Sequence, residues 1–591
     1  MSGEIIKGGS FLVEAVEPKN VFTPEDFTDE HKMIADTAAS FVEGEVEPVI
    51  DDLEAQKDNL MRELLVKAGE LGLLGADVPE EYGGMELDKI SSMLITENII
   101  KGGSFSLGHG AHTGIGSLPI VFFGNKQQKE KYLPGLASGE KLAAYALTEP
   151  GSGSDALSAK TKAVLSEDGK YYTLNGSKQF ITNAGFADVF VTYAKIDGDK
   201  FTAFIVDADT EGLSLGVEEK KLGIKGSSTR SVIFEDAKVP AENVLYEIGK
   251  GHVVAFNILN IGRYKLAIGC IGSSKLALQY AVKYANERKQ FKVPISSFGL
   301  IKEKIGMMAA RIFASESMAY RTAGMIDDML HNIDMNGEDA GLRTAEGIAE
   351  YAIECSINKI HGSEVLDYAA DETLQIYGGY GYTQEYPAER IYRDSRINRI
   401  FEGTNEINRM IIPGTLLRKA MKGELPLLAA AKKLQEELLT PSMPVEDTSF
   451  LGEQKQIVEK AKKIVLMVAG TAAQKYGQKI QEQQEVLGKT ADLVIETFAM
   501  ESALLRALKA YEAGGEEAAA MKGLLAKIYI NDSIGRMDLW AKEALAAIEE
   551  GDVLRTQLVA LRKLARYNPI NSVAAKRQAA DAVIAAEEYV V

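Results

Sequence analysis

Cysteine is nearly absent: Cys270 and Cys355 are the only two in 591 residues, and each sits in a helical pattern. That excludes a disulfide framework and a zinc-ligand spacing. Two buried thiols are expected instead. His109 and His112 show no metal-ligand pattern either and are assigned to packing, so no metal is predicted. Positive charge is short as well, with 66 Lys and Arg against 85 Asp and Glu. Such a chain lacks the basic footprint that a phosphate backbone requires, which excludes nucleic acid as the main partner. No apolar run is long enough to span a bilayer. The opening residues, MSGEIIKGGSFLVEAVE, have no arginine and no basic stretch before an apolar core. They read as neither signal nor transit peptide, and the expected location is cytoplasmic.

What is present is the material of a multidomain globular protein, too long for one core. Residues 1–22 carry no strong period and read as an arm. From Thr23-Pro24-Glu25-Asp26, a good N-cap with proline at the first helical position, a helical domain runs to 145. Residues 146–251 are rich in β-forming runs such as DVFVTYAKI, with Asn175-Gly176, Asp197-Gly198 and Glu211-Gly212 as turn signals. They predict a mostly antiparallel β domain. From 252 to 421, apolar residues at three- and four-residue spacing predict a helical bundle. Residues 422–450, ending in a Pro, Ser and Thr cluster at 440–449, read as a linker. Residues 451–591 predict a separate helical extension holding Trp540, the only tryptophan. One strand block between helical blocks gives an α+β multidomain class and argues against a doubly wound sheet. Neither a strand–GxGxxG–helix unit nor a GxxxxGK[ST] loop is found.

The richest segment is 376–409, IYGGYGYTQEYPAERIYRDSRINRIFEGTNEINR. Its glycines, aromatics and arginines converge on Glu402, which lies between Phe401 and Gly403-Thr404 just before a predicted helix. An apolar neighbour and a close backbone suit a carboxylate of raised pKa, a usable base. Upstream, Tyr145-Ala-Leu-Thr-Glu-Pro-Gly-Ser-Gly-Ser-Asp155 offers close backbone approach at Gly151 and Gly153, with hydroxyls at Thr148 and Ser154. It suits a polar planar ligand, or is simply a Gly/Ser loop entering the β domain. Lys178–Gly185 places the Thr182 hydroxyl near the Phe180 ring, either as one wall for a flavin or as an ordinary hairpin strand. Arg288, in NERKQF at a helix end, fits a carboxylate partner or a pyrophosphate.

Taken together, YALTEPGSGSD, FITNAG, GIKGSSTRSVIFEDAKVP, NERKQF, QIYGGYGYTQEYPAERIYRD and FEGTNEI closely resemble the acyl-CoA dehydrogenase family over roughly 30–420. The helical extension and Phe401 before the Glu resemble its very-long-chain branch, in a bacterial form. The resemblance implies an N-terminal helical domain, a middle antiparallel β domain and a C-terminal four-helix bundle. It implies FAD between sheet and bundle, lined by Tyr145, Leu147, Thr148 and Ser154 and covered by Phe180, Ile181 and Thr182. Arg288, Gln290, Phe291 and Phe298, with Gln375 and Gly379, would reach the FAD of a neighbouring subunit. Thr404 and Glu406 would complete that site. Ser154, Asn260, Arg263, Phe401 and Gly403 would contact acyl-CoA. Relatives usually have Trp where Phe180 stands. Some relatives carry the base just before the arginine matching Arg263. Here that position is Gly262, which leaves Glu402 as the base.

The implied reaction is α,β-dehydrogenation of a long-chain acyl-CoA to a trans-2-enoyl-CoA. Glu402 would take the α-proton and flavin N5 the β-hydride. Electrons would pass to an electron-transferring flavoprotein, or to oxygen if the chain is an acyl-CoA oxidase. A non-catalytic binding or assembly protein on this fold is the remaining alternative. The small residues of SFSLGHGAHTGIG, 104–116, would leave a deep tunnel or simply allow close helix packing. The extension is expected to complete a homodimer. Membrane association through the apolar, basic stretch 416–439, interrupted by Pro426, is the weaker reading.

Overall fold

The computed structural model describes residues 5–334, 337, 339–439 and 447–591. An N-terminal block of helices comes first, including Asp29–Phe41, Leu60–Glu70, Lys89–Ile99, Ser104–Gly110 and Lys126–Ser138. The first α-helix starts later than the Thr23-Pro24 signal implies. Asp26 takes the Thr23 N–H at 2.8 Å and closes a capping box over a single 3-10 turn, Pro24–Asp26. Thr28 then caps the true helix at Asp29, accepting from the His31 N–H at 3.2 Å. His109 and His112 are buried, their rings bonded to the Leu73 and Leu136 carbonyls at 2.9 Å. Both cysteines are free and buried.

The chain then forms eight strands: β1 Ala143–Ala146, β2 Lys162–Leu165, β3 Tyr171–Thr182, β4 Val189–Ile196, β5 Lys200–Asp207, β6 Leu213–Leu215, β7 Thr229–Pro240 and β8 Val244–Leu245. They make one sheet in the order β6-β7-β3-β2-β4-β5-β8, with β1 on β4. The sheet is mixed, because β1 and β2 both lie parallel to β4 while the long pairs β3–β7 and β4–β5 are antiparallel. The sequence signalled only hairpins. The parallel pairs join segments with no tight turn between them, so no turn motif announces them. A register shift in β3–β7 between Lys178 and Ile181 breaks the pleat at Phe180.

Beyond the sheet, the helices Gly251–Glu287, Gly299–Leu330 and Ala352–Tyr377 pack along one another, and Asn405–Met421 joins them. The segment read as linker contains a helix of its own, Leu427–Leu439. The rest of the Pro, Ser and Thr cluster up to 446 lies outside the described residues. Four helical stretches follow: Gly452–Tyr476, Gln484–Ile548, Gly551–Leu564 and Ser572–Ala586. The second is broken at Gly514 and Gly515. This extension is not a separate body. One apolar core runs from Ala277 and Phe313 in the bundle through Ile357 to Phe498, Leu525 and Val583. Ion pairs of the buried Arg506 sew the same seam. Arg506 donates to Glu25 at 2.8 Å and to Glu316 at 2.5 Å. Among the described residues no helix is long and apolar enough to cross a membrane.

Candidate active site

Glu402 occupies the turn between the 3-10 segment Arg396–Arg399 and the helix Asn405–Met421. Its backbone is left-handed, φ 58°, and Gly403 follows at φ 78°. A non-glycine residue resists that conformation, so the surroundings must impose it. They do so through the carbonyls. Arg263 donates from Nε to the Glu402 oxygen at 3.2 Å, while Lys359 and Asn408 each donate to the Gly403 oxygen at 2.8 Å. Thr404 then caps the following helix by accepting from the Ile407 N–H at 3.3 Å. The turn is thereby fixed at Glu402 and at the two residues that follow it.

The side chain projects toward the helix Gly251–Glu287. A Cβ built on Gly262 would lie 2.8 Å from Glu402 Cδ and nearer still to Oε2. Only glycine leaves room for this carboxyl. Part of the residue remains accessible, yet Oε2 is buried and has no hydrogen-bond partner. Burial pushes the carboxyl up to about 7, partly opposed by the positive charges of Arg263 and Lys359. An unpartnered buried carboxylate near neutrality is poised to accept a proton.

The sheet supplies the facing wall. Tyr145 sits in β1 with its hydroxyl buried and unpartnered, and Glu402 is close enough to raise its phenol further. The Gln179 N–H donates to the Thr148 carbonyl at 2.9 Å, which brings YALT alongside FITN. Phe180 and Asn183, at φ 60° and 68°, flank Ile181-Thr182. Phe180 is thrown outward, 58 % exposed, whereas Ile181 is buried and Thr182 half-buried. Leu147 is buried, Thr148 half-buried and Ser154 exposed. A side chain at Gly151 or Gly153 would meet open space. A polar face with an idle phenol, an outward-kinked strand and an open Gly/Ser loop fits the isoalloxazine of FAD. On the bundle side, Asn260 is buried and accepts from Arg263 Nη1 at 2.9 Å.

Phe401, next to Glu402, lines a cavity of about 270 Å³. Its walls include Leu107, Ser273, Leu276, Tyr280 and Ile397. Ser273, Leu276 and Tyr280 continue the helix face that begins at Gly262 and Leu266. At 1.5 Å per residue, Gly262 to Leu276 spans about 21 Å.

The remaining assigned residues gather elsewhere. Arg288, Gln290 and Gly379 line a separate open groove with Tyr284, Tyr377 and Tyr380. The Arg288 guanidinium lies 5.3 Å from the Tyr380 ring centre. Phe291 is 89 % exposed and meets Phe298 edge-on at 6.0 Å. Gln375 and Glu406 are exposed. Sequence reasoning missed Lys359, a lone lysine in a helical run whose partners are distant in the chain. It also read Gly262 only as a missing base, not as the space the Glu402 carboxyl needs.

Comparison with known proteins places the whole chain. Residues 28–140 match the acyl-CoA dehydrogenase N-terminal domain family, and 144–237 the middle domain family. Residues 249–417 and 460–563 match two acyl-CoA dehydrogenase C-terminal domain families. A probable acyl-CoA dehydrogenase of Bacillus subtilis (strain 168) is 60 % identical over 591 residues, covering 100 % of this chain and 99 % of the relative. The human very long-chain specific acyl-CoA dehydrogenase, mitochondrial, is 36 % identical over 578 residues, covering 92 % and 82 %. A crystal structure of acyl-CoA dehydrogenase complexed with FAD from Bacillus anthracis superposes with a TM-score of 0.97 at 57 % identity, covering 99 % of this chain and 100 % of that one.

Proposed function

Because the chain belongs to the acyl-CoA dehydrogenase family, and is an FAD enzyme of that class, we propose that it oxidises long-chain fatty acyl-CoA to trans-2-enoyl-CoA in fatty acid β-oxidation, with Glu402 as the base. The observation that carries this reading is the Glu402 carboxyl itself, enclosed, unpartnered and seated in the space left by Gly262.

The α C–H of a thioester is a weak acid, so its removal needs an aligned base and stabilisation of the enolate oxygen. Glu402 accepts the α-proton. Its own backbone N–H, carried on the strained turn, is the protein's donor to the thioester carbonyl. Arg263 and Asn260 line the bundle side of the entry, and burial near Tyr145 excludes water. FAD, when bound, supplies the two-electron acceptor for the β-hydride. Tyr145, Leu147, Thr148, Ser154, Phe180, Ile181 and Thr182 would hold its flavin, and Thr404 and Glu406 would complete the dinucleotide site. The exposed groove at Arg288, Gln290 and Gly379, with Phe291, Phe298 and Gln375, would hold the dinucleotide end of FAD from a second copy in a homodimer. The exposed Phe180 supports electron exit to an electron-transferring flavoprotein. The cavity at Leu107 and Leu276 supports a long acyl tail, each buried methylene contributing about 0.8 kcal/mol. The cytoplasm is the proposed location.

Glu402→Gln tests the assignment. The variant is expected to keep FAD and bind acyl-CoA, yet fail to bleach the flavin on mixing with a long saturated acyl-CoA. Bleaching at the parent rate would refute Glu402 as the base.

A further inference from the structure

The base turn is held from behind by a lysine that the reaction scheme does not use. Lys359 lies in the helix Ala352–Tyr377 and is wholly buried. Its ammonium donates to the Gly403 carbonyl at 2.8 Å and to Asn405 Oδ1 at 2.7 Å. Both acceptors are neutral, and no salt bridge among the described residues includes Lys359. A buried cation without an ion-pair partner is costly, so its charge is expected to act on whatever ionisable group is near. That group is the carboxyl one residue before its acceptor.

The frame around Lys359 is rigid. Asn405 Nδ2 donates to Ser363 Oγ and to Glu364 Oε1, both at 3.1 Å. Glu364 also pairs with Arg409 Nη2 at 2.8 Å, and Arg409 Nε reaches Asp492 of the helical extension at 2.7 Å. Two bundle helices and the extension thus fix the oxygens that Lys359 holds. The charged and titratable groups facing this pair come from four elements. Arg263 and Cys270 come from the helix Gly251–Glu287, Glu364 from the lysine's own helix, Glu406 from the first turn of Asn405–Met421, and Tyr145 from β1. Burial pushes the Cys270 thiol up to about 12 and the Tyr145 phenol well up, so both stay neutral. Arg263 spends its Nε on the Glu402 carbonyl and Nη1 on Asn260.

We propose that Lys359 is a positioning residue for proton abstraction, holding the Glu402–Gly403 turn in its left-handed form and supplying the fixed charge that keeps Glu402 ionised in a water-poor site. The proposal rests on Glu402 being the base. It assigns a task to a lysine that otherwise sits buried against neutral oxygens. Burial lowers Lys359 to about 8, which still leaves it charged where Glu402, at about 7, has ionised.

The test uses the FAD-loaded full chain with Lys359→Gln, Lys359→Arg and Asn405→Asp, beside Glu402→Gln. Lys359→Gln keeps a donor without the charge, Lys359→Arg keeps the charge, and Asn405→Asp neutralises the ammonium in place. The readouts are the pH profile of kcat and an infrared titration of the Glu402 carboxyl, whose band is the one Glu402→Gln lacks. In Lys359→Gln and Asn405→Asp, the acid limb and the infrared midpoint should both rise by about one pH unit. Turnover at pH 7 should fall severalfold, and Lys359→Arg should restore both midpoints. An unmoved limb and midpoint in either folded, flavin-loaded variant would overturn the proposal and leave Lys359 a structural contact. Should Glu402→Gln turn over normally, the base assignment falls, and that failure is distinct from an unmoved limb.

Discussion

Adding one methyl group at Gly262 should disable the enzyme without unfolding it. In Gly262→Ala the new Cβ would stand 2.8 Å from Glu402 Cδ and closer to Oε2, where ordinary contact begins near 3.4 Å. The carboxyl must therefore retreat by about 1 Å, a misplacement that costs about 100-fold in rate. The turn cannot follow to compensate, because Arg263, Lys359 and Asn408 hold its Glu402 and Gly403 carbonyls. A 100-fold loss corresponds to about 2.7 kcal/mol of barrier. Stability pulls the other way, since alanine in place of glycine within a helix is worth up to about 1 kcal/mol. The assay is kcat for a long saturated acyl-CoA with an artificial electron acceptor, alongside flavin content from absorbance and the melting temperature. The expected variant is yellow, melts close to the parent and is about 100-fold slower. Turnover within threefold of the parent, with flavin intact, would mean that the carboxyl does not work from the place described.

Narrowing the cavity should shorten the preferred substrate. Leu276→Trp, by excluding about three methylenes at about 0.8 kcal/mol each, should lower kcat/KM for the longest acyl-CoAs by more than tenfold and leave short ones unchanged; a panel of chain lengths checks this. Glu402→Gln should also change stability with pH. Below its ordinary value of 4.5 the carboxyl is protonated folded and unfolded, so the substitution is neutral there. Between 4.5 and about 7 the unfolded chain gives up this proton while the folded protein still holds it, because ionising would leave a buried charge. The parent therefore loses up to about 3 kcal/mol that the amide variant keeps. Thermal melts at pH 4.5 and pH 8 should show the variant gaining only at the higher pH.

What the sequence revealed depends on how local the cause is. Glu402 was legible because its turn is written in adjacent residues: an aromatic, a glycine and a helix-capping threonine within three positions. The β domain was legible because strand texture and Asn-Gly turns are local as well. The parallel pairing of β1 and β2 with β4 was not, because nothing between those strands signals direction. The same limit hid part of the arrangement around the carboxyl. Gly262, Arg263 and Lys359 reach the Glu402 turn from two helices, about 140 and 43 residues away along the chain; the first two were singled out for other reasons, and Lys359 looks unremarkable in its own segment. The helical extension was legible as helices but was read as a separate unit. A hydrophobic core shared between Ile357 and Phe498 leaves no mark in either stretch alone. The connection has a functional side. Asp492 binds Arg409, Arg409 binds Glu364, Glu364 binds Asn405, and Asn405 accepts from Lys359. The extension is therefore linked to the Glu402 turn by a chain of four polar contacts. A domain read as an addition to the enzyme is, by this chain of contacts, part of what holds its carboxylate in place.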